Sequence, residues 1–81
     1  MSDFYVTADN YVAAYLVTRK VPFRGSFQSG HTVNFRFDPV ESIQDLLLDY
    51  AHGAEVAARD FVEAHRFILG LVKKTRNGGG A

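Results

Sequence analysis

The sequence predicts a small α+β domain in which helices pack on one face of a three-stranded antiparallel sheet, in the chain order β-α-β-β-α-α. Two observations carry this expectation. The stretch FRGSFQSGHTVNFRF, from Phe23 to Phe37, has apolar residues at every second position near its ends and a glycine near its middle, which is typical of a hairpin. Before and after this stretch, apolar residues recur at helical spacing.

The chain begins with a predicted strand and helix. The segment FYVT is aromatic and β-branched, and Thr7 or Asp9 is suited to cap a helix from about Ala8 to Lys20. Apolar side chains cover almost the whole circumference of that helix, so we expect it to be enclosed on more than one side. The Val21-Pro22 pair ends it, because a residue before proline avoids the helical region.

The alternation of side chains between the two faces of the sheet predicts the length of the hairpin turn. If the core lies on one side of the sheet, Phe23 and Phe27 share a face with Phe35, and opposed residues must lie on the same face. A three-residue loop over residues 28–30 satisfies this condition, because it pairs Phe27 with His31 and Phe23 with Phe35. The glycine of the loop then takes the left-handed conformation that such turns need.

The sequence DPVE predicts the start of the second helix. Asp38 is suited to the N-cap, Pro39 to the first helical position and Glu41 to a capping box. The helix is expected to run to about His52 and to stop at Gly53.

A third helix is predicted from about Ala57 to Thr75, with an apolar stripe that spans about half its circumference, wider than one contact needs. The domain is expected to cover residues 1–76, and the glycine-rich residues 77–81 to form a flexible tail.

Several short motifs occur in a recognisable succession. They are FYVTAD, AAYL (Ala13–Leu16), the glycine hairpin that ends in Phe35-Arg36-Phe37, and Tyr50-x-x-Gly53. Together they resemble a small prokaryotic family of stand-alone domains of unknown function, over about residues 4–72. Helices of that family often end in glycine before the hairpin, where this chain has Lys20-Val21-Pro22. The resemblance implies the fold given above and no activity, so it assigns no functional residue.

Composition narrows the class of protein. The 81 residues make one domain, and a chain of this length buries only about 60% of its unfolded surface, so it needs a dense core or a partner. The absence of cysteine excludes disulfides and thiolate metal sites. No apolar run is long enough to span a bilayer, and the N-terminus does not resemble a signal peptide. We therefore expect a cytoplasmic, soluble protein with no membrane partner and no cofactor.

Charge is balanced in total but uneven along the chain. Residues 38–63 carry seven acidic side chains against Arg59, whereas residues 64–81 carry four basic side chains and no acidic one. Such a bipolar molecule can pair with itself. The predicted partner contacts are the two apolar residues that fall outside the buried stripes, together with the acidic face of the second helix: Leu48, Phe67, Glu41, Asp45 and Asp49.

The polar side of the sheet suggests an alternative, a nucleic-acid contact. Arginine binds phosphate in a fork, and Arg24, Ser26, Asn34 and Arg36 are expected on the face away from the core. The predicted nucleic-acid contacts combine that face with the basic C-terminal end: Arg24, Asn34, Arg36, Lys73, Lys74 and Arg76. The aromatic residues are expected to point inward, which weakens this alternative.

Catalysis is not expected, because no nucleophile motif, phosphate loop or HExxH is present. Asp49 and His52 have ligand-like spacing, but two side chains do not make a metal site. A metal or small-ligand site at Asp45, Asp49 and His52 is the third hypothesis. The sequence therefore predicts a non-enzymatic interaction module, expected to be a homodimer, with an accessory nucleic-acid-binding protein as the alternative.

Overall fold

A computed structural model of the chain describes residues 4–79. The order of elements is the predicted β-α-β-β-α-α. The elements are β1 (Tyr5–Thr7), α1 (Asn10–Thr18), β2 (Phe23–Ser29), β3 (Thr32–Phe37), α2 (Ile43–Ala51) and α3 (Ala58–Gly79). The three strands form one antiparallel sheet in the order β1-β3-β2, so the predicted fold class is confirmed.

The central strand β3 supplies the floor of the core. Val33, Phe35 and Phe37 are buried and alternate with residues that retain solvent contact, as a strand covered on one face requires. The helices cover these three side chains with buried apolar residues of their own. Those helical core residues are Ala13, Ala14, Tyr15, Leu16, Ile43, Ala64 and Ile68.

The predicted hairpin register is wrong. Ser29 pairs with Thr32, so the loop has two residues, Gly30 and His31, and Gly30 has the positive φ that a type II′ turn requires at its first position. With this turn, regular pairing would turn Phe23 of β2 away from the core. A bulge between Phe23 and Gly25 adds one residue to β2, so Phe23 pairs with Phe37 and shares its face.

The bulge puts Phe23 and Phe27 on opposite faces of the sheet. Phe27 pairs with Asn34 and therefore lies on the face away from the helices, contrary to the prediction. Ser26, predicted on that outer face, pairs with Phe35 and lies under the helices instead. The hydroxyls of Ser26 and Thr75 of α3 are hydrogen-bonded at 2.8 Å.

Helix α1 begins and ends with well-defined caps. Asp9 is the N-cap, and its Oδ1 accepts hydrogen bonds from the N–H groups of Tyr11 and Val12, at 2.8 Å and 3.1 Å. At the other end, the Val21 N–H donates to the Leu16 carbonyl and the Lys20 N–H to Val17, which is a Schellman motif. Lys20 adopts the left-handed conformation (φ 61°) that usually belongs to glycine.

The predicted start of the second helix is wrong. The carboxylate of Asp38 does not cap a helix, because the guanidinium of Arg24 holds it in two hydrogen bonds of 2.6 Å and 2.7 Å. Residues 38–42 form turns, and α2 begins at Ile43 after Ser42, whose side chain makes no capping hydrogen bond. The predicted stop is confirmed, since Gly53 has a positive φ just after the C-cap.

The last helix is longer than predicted and lies over β2. It continues through Gly79, whereas the sequence predicted an end near Thr75. Its N-terminal half packs across α1, and its C-terminal half follows β2. Of the predicted tail, Gly80 and Ala81 lie outside the described residues.

Candidate interaction surfaces

Helix α3 carries two adjacent apolar seams, each with residues spaced alternately three and four apart. The first faces the core and consists of Phe61, Ala64, Ile68, Leu71 and Thr75. The second lies beside it and consists of Ala58, Val62, His65, Leu69 and Val72, of which Ala58, Val62 and Leu69 are exposed, His65 is half-buried and Val72 is half-buried against the core. Val62 and Leu69 are 48% and 44% exposed, which is high for apolar side chains in the middle of a helix. Such spacing is the pattern by which one helix packs along another.

Tyr11 of α1 extends this second seam, which we call the outer seam. Its ring stacks on His65 with centroids 4.9 Å apart and lies 6.4 Å from the ring of Phe61. Tyr11 nevertheless remains 55% exposed. The outer seam and Tyr11 therefore make one continuous apolar surface across α1 and α3.

A row of positive charge flanks the outer seam. Arg59, Arg66 and Lys73 follow one another at intervals of seven residues and are all exposed. On a helix this interval returns to nearly the same side, next to Val62 and Leu69. We call these three residues the basic row. The other flank of the seam is occupied by the core of the same chain.

The outward side of α2 has the opposite charge. Asp45 and Asp49 are exposed one turn apart, with Glu41 just before the helix. Leu48 lies among them and is 57% exposed, as its predicted place off the buried stripe requires. Among the described residues, no group of three acidic or histidine side chains comes close enough to hold a metal ion, so Asp45, Asp49 and His52 do not form one.

Phe67 lies on the other side of α3 from the outer seam. Its ring packs edge-on against Phe23 with centroids 5.6 Å apart. It also lines an open groove of about 360 Å³, whose other residues are Val17, Thr18, Lys20, Asp60, Glu63 and Ala64. Leu48, the other apolar residue predicted to contact a partner, lies on α2, which lines no part of this groove.

The outer face of the sheet is less polar than predicted. Arg36 lies over the ring of Phe27, with its guanidinium carbon 4.2 Å from the centroid, and Val6 is paired with Arg36 on the neighbouring strand. Asn34 lies on the same face. The face therefore presents an aromatic ring and a cation together, which the predicted register had excluded.

Arg24 does not join Arg36 as predicted. It sits at the bulge, and its guanidinium binds both carboxylate oxygens of Asp38. The hydrogen bonds from Arg24 hold the pKa of the Asp38 carboxyl below its ordinary value. Arg24 is thus engaged in closing the base of the hairpin.

The basic C-terminal end lies on the helical side of the sheet. Arg76 donates a hydrogen bond of 3.1 Å from Nη2 to the His31 carbonyl, so it reaches the hairpin turn. Lys73 and Lys74 are exposed on α3. The two halves of the predicted nucleic-acid surface are consequently on opposite sides of the sheet, and Arg76 is in contact with the hairpin turn that joins β2 and β3.

Sequence reasoning missed Tyr11, Val62 and Leu69 as surface residues and Phe27 as an outer-face residue. The first three had a usable signal, because a stripe of half the circumference resolves into two seams when the intervals are counted. Phe27 had no such signal, since a bulge leaves no unambiguous mark in an alternating pattern.

Comparison of the chain with protein-family models, curated proteins and solved structures found no significant match. Within residues 4–79, none of the helices combines the length and the apolar character needed to cross a membrane. The surfaces described above are therefore the basis for a functional proposal.

Proposed function

We propose that this chain is a protein-interaction module rather than an enzyme, and that it pairs with a second copy of itself. The observation that carries the proposal is the outer seam with Tyr11, an apolar surface that the fold leaves uncovered. Contiguous exposed apolar patches mark interaction sites more often than single exposed apolar residues do. A small domain gains most from such a contact, because its own core is limited. A cytoplasmic location belongs to the same proposal.

The energy available to this contact is modest. Tyr11, Val62 and Leu69 are each about half exposed, so covering them contributes about 1 kcal/mol per side chain, or about 6 kcal/mol for two copies. A covering surface of equal apolar area would double this gain, which sets its upper limit at about 12 kcal/mol. Association costs at least about 4 kcal/mol, so the net gain is at most about 8 kcal/mol. We accordingly expect weak pairing, with a dissociation constant between about 10 µM and 1 mM.

Sedimentation velocity over that concentration range tests the proposal. The wild-type chain should shift from monomer to dimer as its concentration rises. Val62→Gln and Leu69→Gln should each move the transition to higher concentration by at least about fivefold, since each removes part of an apolar contact from both copies. A chain that stays strictly monomeric at about 1 mM would refute self-pairing.

Phe67→Gln is the matched control. Phe67 is exposed to a similar extent and lies on the same helix, but on the side away from the outer seam. It should leave the dissociation constant unchanged, with circular dichroism confirming that all variants fold. If Phe67→Gln weakens pairing and Leu69→Gln does not, the pairing surface is the groove side of α3.

A second candidate function is the binding of single-stranded nucleic acid to the outer sheet face. The observation that favours it is the outward ring of Phe27 with Arg36 against it, beside Val6 and Asn34. An aromatic ring and an arginine on an open sheet can stack a base and bind a phosphate. Arg76 would add a phosphate contact where the strand passes the hairpin turn, and Lys73 and Lys74, about one turn earlier on α3, would add longer-range attraction.

A salt titration with fluorescent oligonucleotides tests this candidate. Binding at low salt should weaken steeply as salt rises, because phosphate contacts release counterions. Phe27→Leu should weaken binding at every salt concentration, whereas Lys74→Gln should mainly reduce the salt slope. Absence of binding to DNA and RNA at about 20 mM salt would exclude this function.

A further inference from the structure

We infer that the partner of the outer seam is the acidic face of α2 from the second copy. This inference rests on the proposed self-pairing and specifies which surfaces meet. In a two-fold pair the contact is made twice, because each copy supplies one α2 and one α3.

Charge selects this arrangement over the pairing of two outer seams. In an antiparallel α3–α3 contact, the open flanks of the two seams face each other, so Arg66 would meet Arg66 of the second copy and Arg59 would meet Lys73. In a parallel contact, the basic row of one copy would lie against the opposite flank of the other copy's outer seam. That flank is already occupied by the core of its own chain. Both seam-to-seam arrangements are therefore disfavoured, by like charge or by steric exclusion.

The acidic face of α2 has the complementary features. It offers Leu48 as an apolar side chain to place against Val62 and Leu69, with Asp45 and Asp49 beside it to meet the basic row. Among the described residues, neither the acidic face nor the basic row forms an ion pair within its own chain. Asp45 and Asp49 also repel each other at their one-turn spacing, and a basic partner relieves that repulsion.

The lengths of the two surfaces agree. Helix α2 has nine residues and so extends over about 13 Å, at about 1.5 Å per residue. Val62 and Leu69 are seven residues apart and so separated by about 10 Å along α3. One α2 can thus cover both exposed side chains and two members of the basic row, Arg59 and Arg66 or Arg66 and Lys73.

Charge reversal and mixing provide the test. Asp45→Arg alone and Arg66→Glu alone should each weaken self-pairing by about tenfold, because each places like charges in both contacts of the pair. When the two variants are mixed in equal amounts, pairing should return to the wild-type level. In the mixed dimer, one contact joins the two substituted side chains, which again have opposite charges, and the other keeps the native Asp45 against Arg66.

Asp60→Arg is the matched control for Asp45→Arg. Both residues are exposed aspartates in the first turn of a helix, but Asp60 lies in the groove away from the outer seam. It should leave the dissociation constant unchanged within about twofold. Sedimentation at about 50 mM and about 500 mM salt should show weaker wild-type pairing at the higher concentration.

The outcomes separate this inference from the proposed function. A wild-type monomer overturns both. A wild-type dimer that is unaffected by Asp45→Arg, or mixed variants that fail to recover, overturns the α2-to-seam contact and leaves self-pairing in place. Loss of pairing on Leu48→Gln, together with recovery in the charge-reversed mixture, supports the contact as described.

Discussion

The end of α1 offers a direct test of the local geometry, because a lysine occupies a position that normally takes glycine. Lys20 has a φ of 61° and closes a Schellman motif, just as Gly53, with a φ of 81°, closes the corresponding motif at the end of α2. A side chain with a Cβ is strained in this conformation, whereas glycine adopts it freely. We expect Lys20→Gly to stabilise the fold.

The cost of the left-handed conformation at Lys20 sets the size of the expected stabilisation. The left-handed conformation costs a residue with a Cβ about 1 kcal/mol or more, so Lys20→Gly should raise the free energy of unfolding by about 1 kcal/mol. For a domain of this size that corresponds to an increase in Tm of about 4–8 °C. The reverse change, Gly53→Ala, should lower stability by a similar amount, because a Cβ at Gly53 meets no atom within 4 Å and only the backbone strain remains.

Thermal and urea denaturation, followed by circular dichroism at concentrations where the chain is monomeric, measure this effect without a contribution from pairing. Lys20→Ala is the control, because it removes the long side chain, which lines the groove together with Asp60 and Glu63, but keeps the Cβ. The difference between Lys20→Gly and Lys20→Ala isolates the backbone strain. If the two variants are equally stable, Lys20 does not hold a left-handed conformation and the Schellman end of α1 is incorrect.

Three further predictions concern buried or paired polar groups. Tyr15 is buried and its hydroxyl has no hydrogen-bond partner among the described residues, so Tyr15→Phe should leave Tm unchanged or raise it; a loss above about 1 kcal/mol in thermal denaturation would reveal a hydrogen bond. Burial, with a smaller effect of the Asp9 charge, raises the pKa of Tyr50, so unfolded Tyr50 ionises first and stability should fall as pH rises above about 10. Tyr50→Phe should reduce this alkaline loss in pH-dependent urea denaturation, and an unchanged pH profile would contradict the assignment. The hydrogen bonds from Arg24 lower the pKa of Asp38, so the stability contributed by that pair is present above about pH 4 and is lost as the pH falls through the lowered pKa. Asp38→Asn should therefore make the free energy of unfolding less dependent on pH in this acid range. An equally steep dependence in urea denaturation would contradict the assignment.

Much of the fold follows from local pattern. The alternation of Val33, Phe35 and Phe37 predicts a strand covered on one face, and all three are buried. Asp9 and Gly53 act where the sequence predicts a cap and a stop, because each function depends only on a few neighbouring backbone groups. Features set by local chemistry were therefore predictable.

Features that depend on competition between groups distant in the sequence could not be predicted from it. Asp38 has the sequence context of an N-cap, yet Arg24 lies across the base of the hairpin and binds both of its carboxylate oxygens. Because the guanidinium engages both oxygens of this carboxylate, Asp38 does not act as the N-cap and α2 starts later, at Ile43. The hairpin register failed for a related reason. The two-residue turn reverses the faces of Ser26 and Phe27 relative to the prediction, and the bulge between Phe23 and Gly25 keeps Phe23 on the core side, which only the three-dimensional packing reveals.

The rotation of α3 over the sheet explains why its outer seam was not predicted. Two seams lie next to each other on this helix, and either one satisfies the spacing for burial. Polar contacts at the C-terminal end favour one of them: Thr75 is hydrogen-bonded to Ser26 of β2, and Arg76 to the His31 carbonyl at the hairpin turn. Burying Val62 and Leu69 instead would require α3 to turn about its axis and break both contacts. The two-residue turn that brings Ser26 under α3 therefore also helps to keep the outer seam on the surface, where a second chain can reach it.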